Sequence, residues 1–210
     1  MLHVPDQATS LRELANIFPV VNSALNYATF KSSWFFRQQE ADEYRKIDRY
    51  LAPNLVRFYA LQALHNDKEG DFNVLNVPNN GLYLTKNNYN IRILKSCNGK
   101  LPVPGHSLAR QKFYRQEQTS FYFLEDFDVV EVKLNLIILW EVTSDYSLGK
   151  LSLACPKSGD FKRESVTAHW HCIIPDLLLR TGNQIVPESI EVEDLPLTFS
   201  LDEEEGKEAL

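Results

Sequence analysis

Apolar residues fill every even position from Val130 to Val142 in the stretch VVEVKLNLIILWEV at 129–142. Glu131, Lys133, Asn135 and Glu141 hold odd positions, and Ile137 and Leu139 interrupt them. Successive side chains of a strand point to opposite faces, so the pattern predicts one long strand with a fully buried face. Its second face is expected to be covered where Ile137 and Leu139 fall and wet at Asn135. Such a strand belongs at the centre of a sheet.

Upstream of it the apolar period is helical. Ser10 and Glu13 have the spacing of a capping box, followed by Leu11, Leu14, Ile17 and Phe18 on one helical face. Pro19 either ends that helix or falls in the first turn of the next, expected over 20–36. The charged stretch 38–50 keeps an apolar stripe of Ala41, Tyr44, Ile47 and Tyr50. Pro53 interrupts, and Asn54 is expected to cap a helix running to Leu64.

From Phe72 the period changes to two. Short strands are expected over 72–77, 81–86 and 89–95, joined by turns at Pro78-Asn-Asn-Gly81 and Asn87-Asn88, whose residues tolerate positive φ. In the third strand Ile91 and Ile93 share one face, and Arg92 and Leu94 the other. Ser107 is placed to cap a helix over 108–118. An aromatic run at 121–124 and an acidic turn at 125–128 lead into the long strand. Strands over 150–155 and 168–174 follow, separated by a loop at 156–164. The predicted fold is α+β, with N-terminal helices packed on a mainly antiparallel sheet.

A chain of 210 residues with 44% hydrophobic and 24% charged residues can bury a sizeable core. The expected organisation is a single domain over 1–187, helical at 10–65 and strand-rich at 72–175, followed by a disordered acidic tail at 188–210. Three cysteines (Cys97, Cys155 and Cys172) leave one unpaired and favour a reducing cytoplasm. No leader pattern and no membrane-length apolar run stand out, so no membrane partner is expected.

The net charge of −6 averages two opposed regions. From Glu188 onward nine acidic residues face one lysine, a balance of −8. The stretch 86–118 holds seven Lys/Arg against Glu117 alone, a balance of +6. Arg92, Lys95, Arg110, Lys112 and Arg115 are therefore the candidate contacts for nucleic acid or another anionic partner. Tyr83, Tyr89, Phe113 and Tyr114 lie among them as rings that could stack on the bases of a single strand. In the acidic segment Leu195, Leu197 and Phe199 suit partner docking. They could equally fold back onto the domain.

Two constellations carry catalytic or metal chemistry on paper. His169 and His171, at i and i+2 of a strand, share a face and are candidate metal ligands, with Cys155 or His106 to complete a site. Ordinary strand histidines read the same way. Asp128, Glu131 and Lys133 resemble the acid and Glu-x-Lys arrangement of metal-dependent restriction-type nucleases, in which carboxylates hold Mg²⁺ and the lysine orients water. A strand with a polar face explains the same letters. No glycine-rich phosphate loop, serine elbow or helix-turn-helix signature occurs, and no cofactor is expected.

Three further segments carry a resemblance. The basic-ended strand Ile91-Arg-Ile-Leu-Lys95, the aromatic and glutamine pattern Gln111-Lys-Phe-Tyr-Arg-Gln116, and the closing strand HWHCII at 169–174 are similar to an uncharacterised family of bacterial and phage mobile-element proteins. That family is found beside helix-turn-helix repressors and small metallopeptidases. The resemblance spans 91–174 and implies a regulatory or defence module with no established reaction. Leu94 and the acidic segment depart from the pattern. Together these readings lead to a non-enzymatic protein that acts by protein–protein interaction, with single-stranded nucleic acid as an additional partner. The nuclease is the alternative.

Overall fold

Asp6 opens the first helix in the computed structural model, which describes residues 4, 6–38, 51–67, 71–75, 77, 81–96, 98–117, 133–143, 146–162 and 164–180. Its carboxylate accepts the Thr9 backbone N–H at 2.7 Å and caps α1 (Gln7–Glu13). The same bond holds the Asp6 carboxyl below its ordinary pKa. Ser10, expected as the cap, is buried inside α1 instead. An aspartate upstream had already met the free N–H groups that a cap serves.

α2 (Ile17–Gln38) follows within a turn, and Pro19 falls in its first turn, where a missing N–H breaks no helical bond. Pro53 does the same in α3 (Leu51–Asn66), so this helix begins before the proline. Asn54 is therefore inside α3 and accepts from Arg57 rather than capping. Of the helix-compatible stretch 38–50, Gln38 ends α2 and residues 39–50 lie outside the described residues.

Among the described residues six strands form one sheet in sequence order: β1 (Asn73–Val74), β2 (Leu82–Lys86), β3 (Tyr89–Lys95), β4 (Leu134–Val142), β5 (Leu148–Asp160) and β6 (Ser165–Ile173). Every neighbouring pair is antiparallel except β3 and β4, which run parallel from Tyr89↔Leu134 to Lys95↔Trp140. A parallel pair needs a crossover, and this one carries α4 (Leu108–Tyr114), capped by Ser107. α4 is shorter than the expected 108–118 helix, and the chain leaves it through Gln116 at φ 57°. The fold is thus α+β, as the periodicities predict. Among the described residues no helix is long and apolar enough to cross a membrane.

β4 is central and covered on both sides. Leu134, Leu136, Ile138 and Trp140 join Leu14, Phe18, Val21 and Leu25 of the helical layer in the main core. Ile137 and Leu139 face the other way, into a second cluster with Tyr83, Phe113 and Tyr114 under α4. The part of the predicted strand before Lys133 lies outside the described residues.

β5 runs past Pro156 to Asp160, where a loop was expected, because bulges at Cys155/Pro156 and Pro156/Ser158 accommodate a residue with no N–H. Near its end Gly159 passes so close to α4 that a Cβ there would stand 2.9 Å from Pro104 and Tyr114. After β6, α5 (Asp176–Leu179) returns to α2, where Asn22 Nδ2 donates to Leu179 O at 3.2 Å.

Leu136 is fully buried between the helices and β3. Leu136→Ala is expected to lower unfolding free energy by ~2–5 kcal/mol, the range for large-to-small core changes. Urea denaturation followed by circular dichroism checks this, and a loss within experimental scatter would refute the placement of the core.

Candidate functional site

The site is built on a polar latch at the start of β4. In the β4–β5 ladder Ile137 faces Ala154, which sets Asn135 opposite Pro156. Proline cannot donate the bond that Asn135 O needs. The Gln116 side chain supplies it. Its Nε2 donates to Asn135 O and to Pro156 O, both at 2.8 Å, while its Oε1 accepts from Asn135 N at 2.9 Å. The Asn135 side chain donates in turn to Phe113 O at 3.0 Å and accepts from Asn90 Nδ2 at 3.1 Å. Asn135 is therefore buried, not on a wet face. The latch fixes the C-terminal end of α4 against three strands, and Tyr114 adds a bond to Pro102 O at 2.6 Å.

Over this frame sits a cluster of cations. Tyr83, Arg92 and Ile137 are lateral neighbours on β2, β3 and β4. The Arg92 guanidinium lies 5.7 Å from the Tyr83 ring centre and 5.4 Å from that of Phe113, within cation–π range of both. Burial, reinforced by the nearby Arg110 guanidinium, lowers the Arg92 pKa. Arg57 of α3 is likewise lowered by burial and then by Arg110. Among the described residues no carboxylate pairs with Arg57, Arg92 or Arg110, and Arg110 Nε and Arg57 Nε are buried without a hydrogen-bond partner. Like charges gathered without a counter-charge mark a place where an anion would be favourable. Lys112 and Arg115 extend the cationic character along the exposed side of α4, together with Leu108.

The five cations singled out in the sequence thus divide. Arg92, Arg110, Lys112 and Arg115 belong to α4 and the strand face under it. Lys95 is on the other face of β3, lining a small cavity with Trp140, Pro53 and Ser32. Lys86, counted in the basic stretch, is buried and turned inward to Asn16 and to Asp71 at 3.3 Å. The aromatic residues depart from expectation as well. Tyr83, Phe113, Tyr114 and Tyr89 are all buried, so none offers an exposed platform for stacking bases. The sequence does not single out Arg57, and it assigns Asn135 and Gln116 no part in the site. The i to i+2 alternation separates Lys95 from Arg92 in the sequence, but no local pattern announces Arg57.

The two constellations fare differently: the histidine pair gains no third ligand among the described residues, and Asp128 and Glu131 of the other lie outside them. His169 and His171 lie on the exposed side of β6, with His171 Nε2 3.0 Å from Ser152 Oγ. Cys155 is buried in the main core, and the His106 ring packs at a tilt against Phe161 instead. Among the described residues no group of three or more His, Cys, Asp or Glu could hold a metal ion. Lys133 immediately precedes β4, and Asp128, Glu131, Leu195, Leu197 and Phe199 lie outside the described residues.

Two outcomes follow from the buried groups. Asn135→Ala takes one donor from Phe113 O, which keeps the Gln116 N–H at 3.2 Å, and removes the acceptor of Asn90 Nδ2. It is expected to cost roughly 1–3 kcal/mol, with Gln116→Glu losing a similar amount because its second oxygen would face two carbonyls. The exposed control Lys112→Ala should stay within about 0.5 kcal/mol of the parent. Equilibrium denaturation of the three variants decides, and an Asn135→Ala protein as stable as the control would dissolve the latch.

Burial also pushes the Tyr114 and Tyr89 hydroxyls from 10.0 up to about 12. A phenol whose folded pKa exceeds its unfolded one loses stabilisation as pH rises between the two values. Stability should hold below about pH 10 and decline toward about 12. A spectrophotometric phenolate titration should show two phases, and a single transition near the ordinary tyrosine value in the folded protein would contradict this burial.

No family model, curated protein or solved structure matches this chain.

Proposed function

We propose that this protein works as a binding protein whose α4 face takes an acidic partner, with Arg92 and Arg110 as the anchor and Lys112 and Arg115 as the approach surface. The observation that supports this reading most directly is the half-buried Arg92–Arg110 pair without a carboxylate among the described residues. A half-buried guanidinium seated on two rings is held in place before a ligand arrives, so little side-chain freedom is lost on binding. The partner class is an acidic protein surface. Nucleic acid enters only through its phosphates, since the rings beside the arginines are covered. Membership of a bacterial or phage regulatory or defence module rests on the resemblance over 91–174 alone.

The test is fluorescence anisotropy with a labelled Asp/Glu-rich dodecapeptide and, separately, a labelled oligothymidine. Both probes should bind at low salt and weaken as salt shortens the screening length below roughly 8 Å. The double variant Arg110→Gln/Arg115→Gln should lower peptide affinity about tenfold, the loss of one to two charge-assisted contacts. Nucleic acid incubated with Mg²⁺ or Mn²⁺ should remain intact. Absence of peptide binding at low salt would end this reading, as would cleavage that Glu131→Gln abolishes.

A further inference from the structure

The anion that the arginine face calls for is available in the same chain. The segment 188–210 places Glu188, Glu191, Glu193 and Asp194 before Leu195, Leu197 and Phe199, and Asp202 to Glu205 after them. It is an apolar anchor between two acidic clusters, with a balance of −8. The receiving surface has the complementary order. Leu108 is 73% exposed, on the same stripe of α4 as Lys112 and Arg115, with Arg110 and Arg92 set deeper beside it. Two other cations of the basic stretch are not competitors for this role. Lys86 is held by Asp71 and Asn16, and Lys95 is across the sheet.

Reach is not limiting. The described chain ends at Arg180, and the stretch from there to Asp202 spans up to roughly 70 Å when extended. A domain of this size is about 40 Å across. A tether of this length keeps its end at roughly millimolar local concentration.

We propose that the acidic segment 188–210 is the resting occupant of the arginine face, so that an acidic partner binds by displacing it. This rests on the reading of that face as an anion site. Asp202 to Glu205 neutralise Arg92 and Arg110, while Leu197 and Phe199 cover Leu108. The partner's affinity is then set by a competition inside the protein, and any modification that removes negative charge from the segment opens the face.

Two measurements on the full chain test the two readings separately. In the first, Phe199 is replaced by the photo-crosslinker p-benzoylphenylalanine, and attachment sites are mapped by mass spectrometry after irradiation. Attachment within 101–117, with yield falling at high salt, is the expected result. Attachment confined to α2 or α3, to another copy, or to nothing overturns the proposal.

In the second, Asp202→Asn/Glu203→Gln/Glu204→Gln/Glu205→Gln is compared with the parent for binding of the acidic dodecapeptide. The neutralised chain should bind about tenfold tighter at low salt, the factor by which a millimolar local competitor of ~0.1 mM affinity masks a site. Adding Arg110→Gln/Arg115→Gln should erase that gain without changing the thermal midpoint. Equal affinity of parent and neutralised chains means that the segment is not the occupant, while the face remains a binding site. A cross-link within 101–117 in a chain that never binds the peptide means the reverse: the segment is seated there, and the face serves no acidic partner.

Discussion

A single carboxamide makes good the bond that Pro156 cannot give. Without Gln116 the N–H and carbonyl of Asn135 would end in a gap between β4 and β5, and so would the carbonyl of Pro156. Filling that gap from the end of α4 fixes where the helix lies. That position brings Phe113 and Tyr114 over Ile137 and Leu139 and gives β4 its second covered face. It also accounts for Gly159, since β5 passes Tyr114 too closely to admit a Cβ. The parallel pairing of β3 and β4, the short α4 and the continuation of β5 past a proline are parts of one arrangement.

The same arrangement creates the electrostatic character of that face. Rings recruited to cover β4 also form the seat of Arg92, so the guanidinium is partly withdrawn from water by residues whose first task is packing. A cation held this way has lost solvation that only another charge restores efficiently. The helical side of the sheet makes the opposite choice. There Lys86 is buried too, but Asp71 and Asn16 meet it. The buried cation is compensated, and the half-buried one meets no carboxylate among the described residues, which is why the α4 face rather than the helical layer is proposed as the place of contact.

What the sequence made legible follows from the range of each cause. The even-position stripe of β4, the Asn87 turn and the Ser107 cap are decided by neighbours a few residues away, and each is found where the periodicity puts it. Asn135 is not. In isolation an asparagine at an odd position marks a wet face, and its burial depends on a glutamine upstream and a proline downstream that no period connects. Pro156 misleads for a related reason, because ending a strand at proline is sound unless something else donates. Ser10-Leu-Arg-Glu13 matched a cap signature that Asp6 had already made redundant. The basic stretch was visible as a charge count. Which of its members share a surface depended on strand alternation for Lys95, on an ion pair for Lys86, and on helix packing for Arg57. The burial of Tyr83 and Phe113 likewise reflects tertiary cover rather than composition.

The latch also changes the order in which the chain can close on itself. Direct pairing of β3 with β4 joins Asn90 to Asn135 across 45 positions, whereas Gln116 meets Asn135 across 19. Loop closure grows as the logarithm of length, so the shorter contact is easier to form first by roughly 0.8 kcal/mol. Once it exists, α4 and β4 approach β3 as a joined piece, and the one long-range parallel ladder in the sheet is reached through a local step. Parallel pairing is ordinarily the slow part of a small α+β fold because its contacts are distant in sequence. Here a side chain divides that distance.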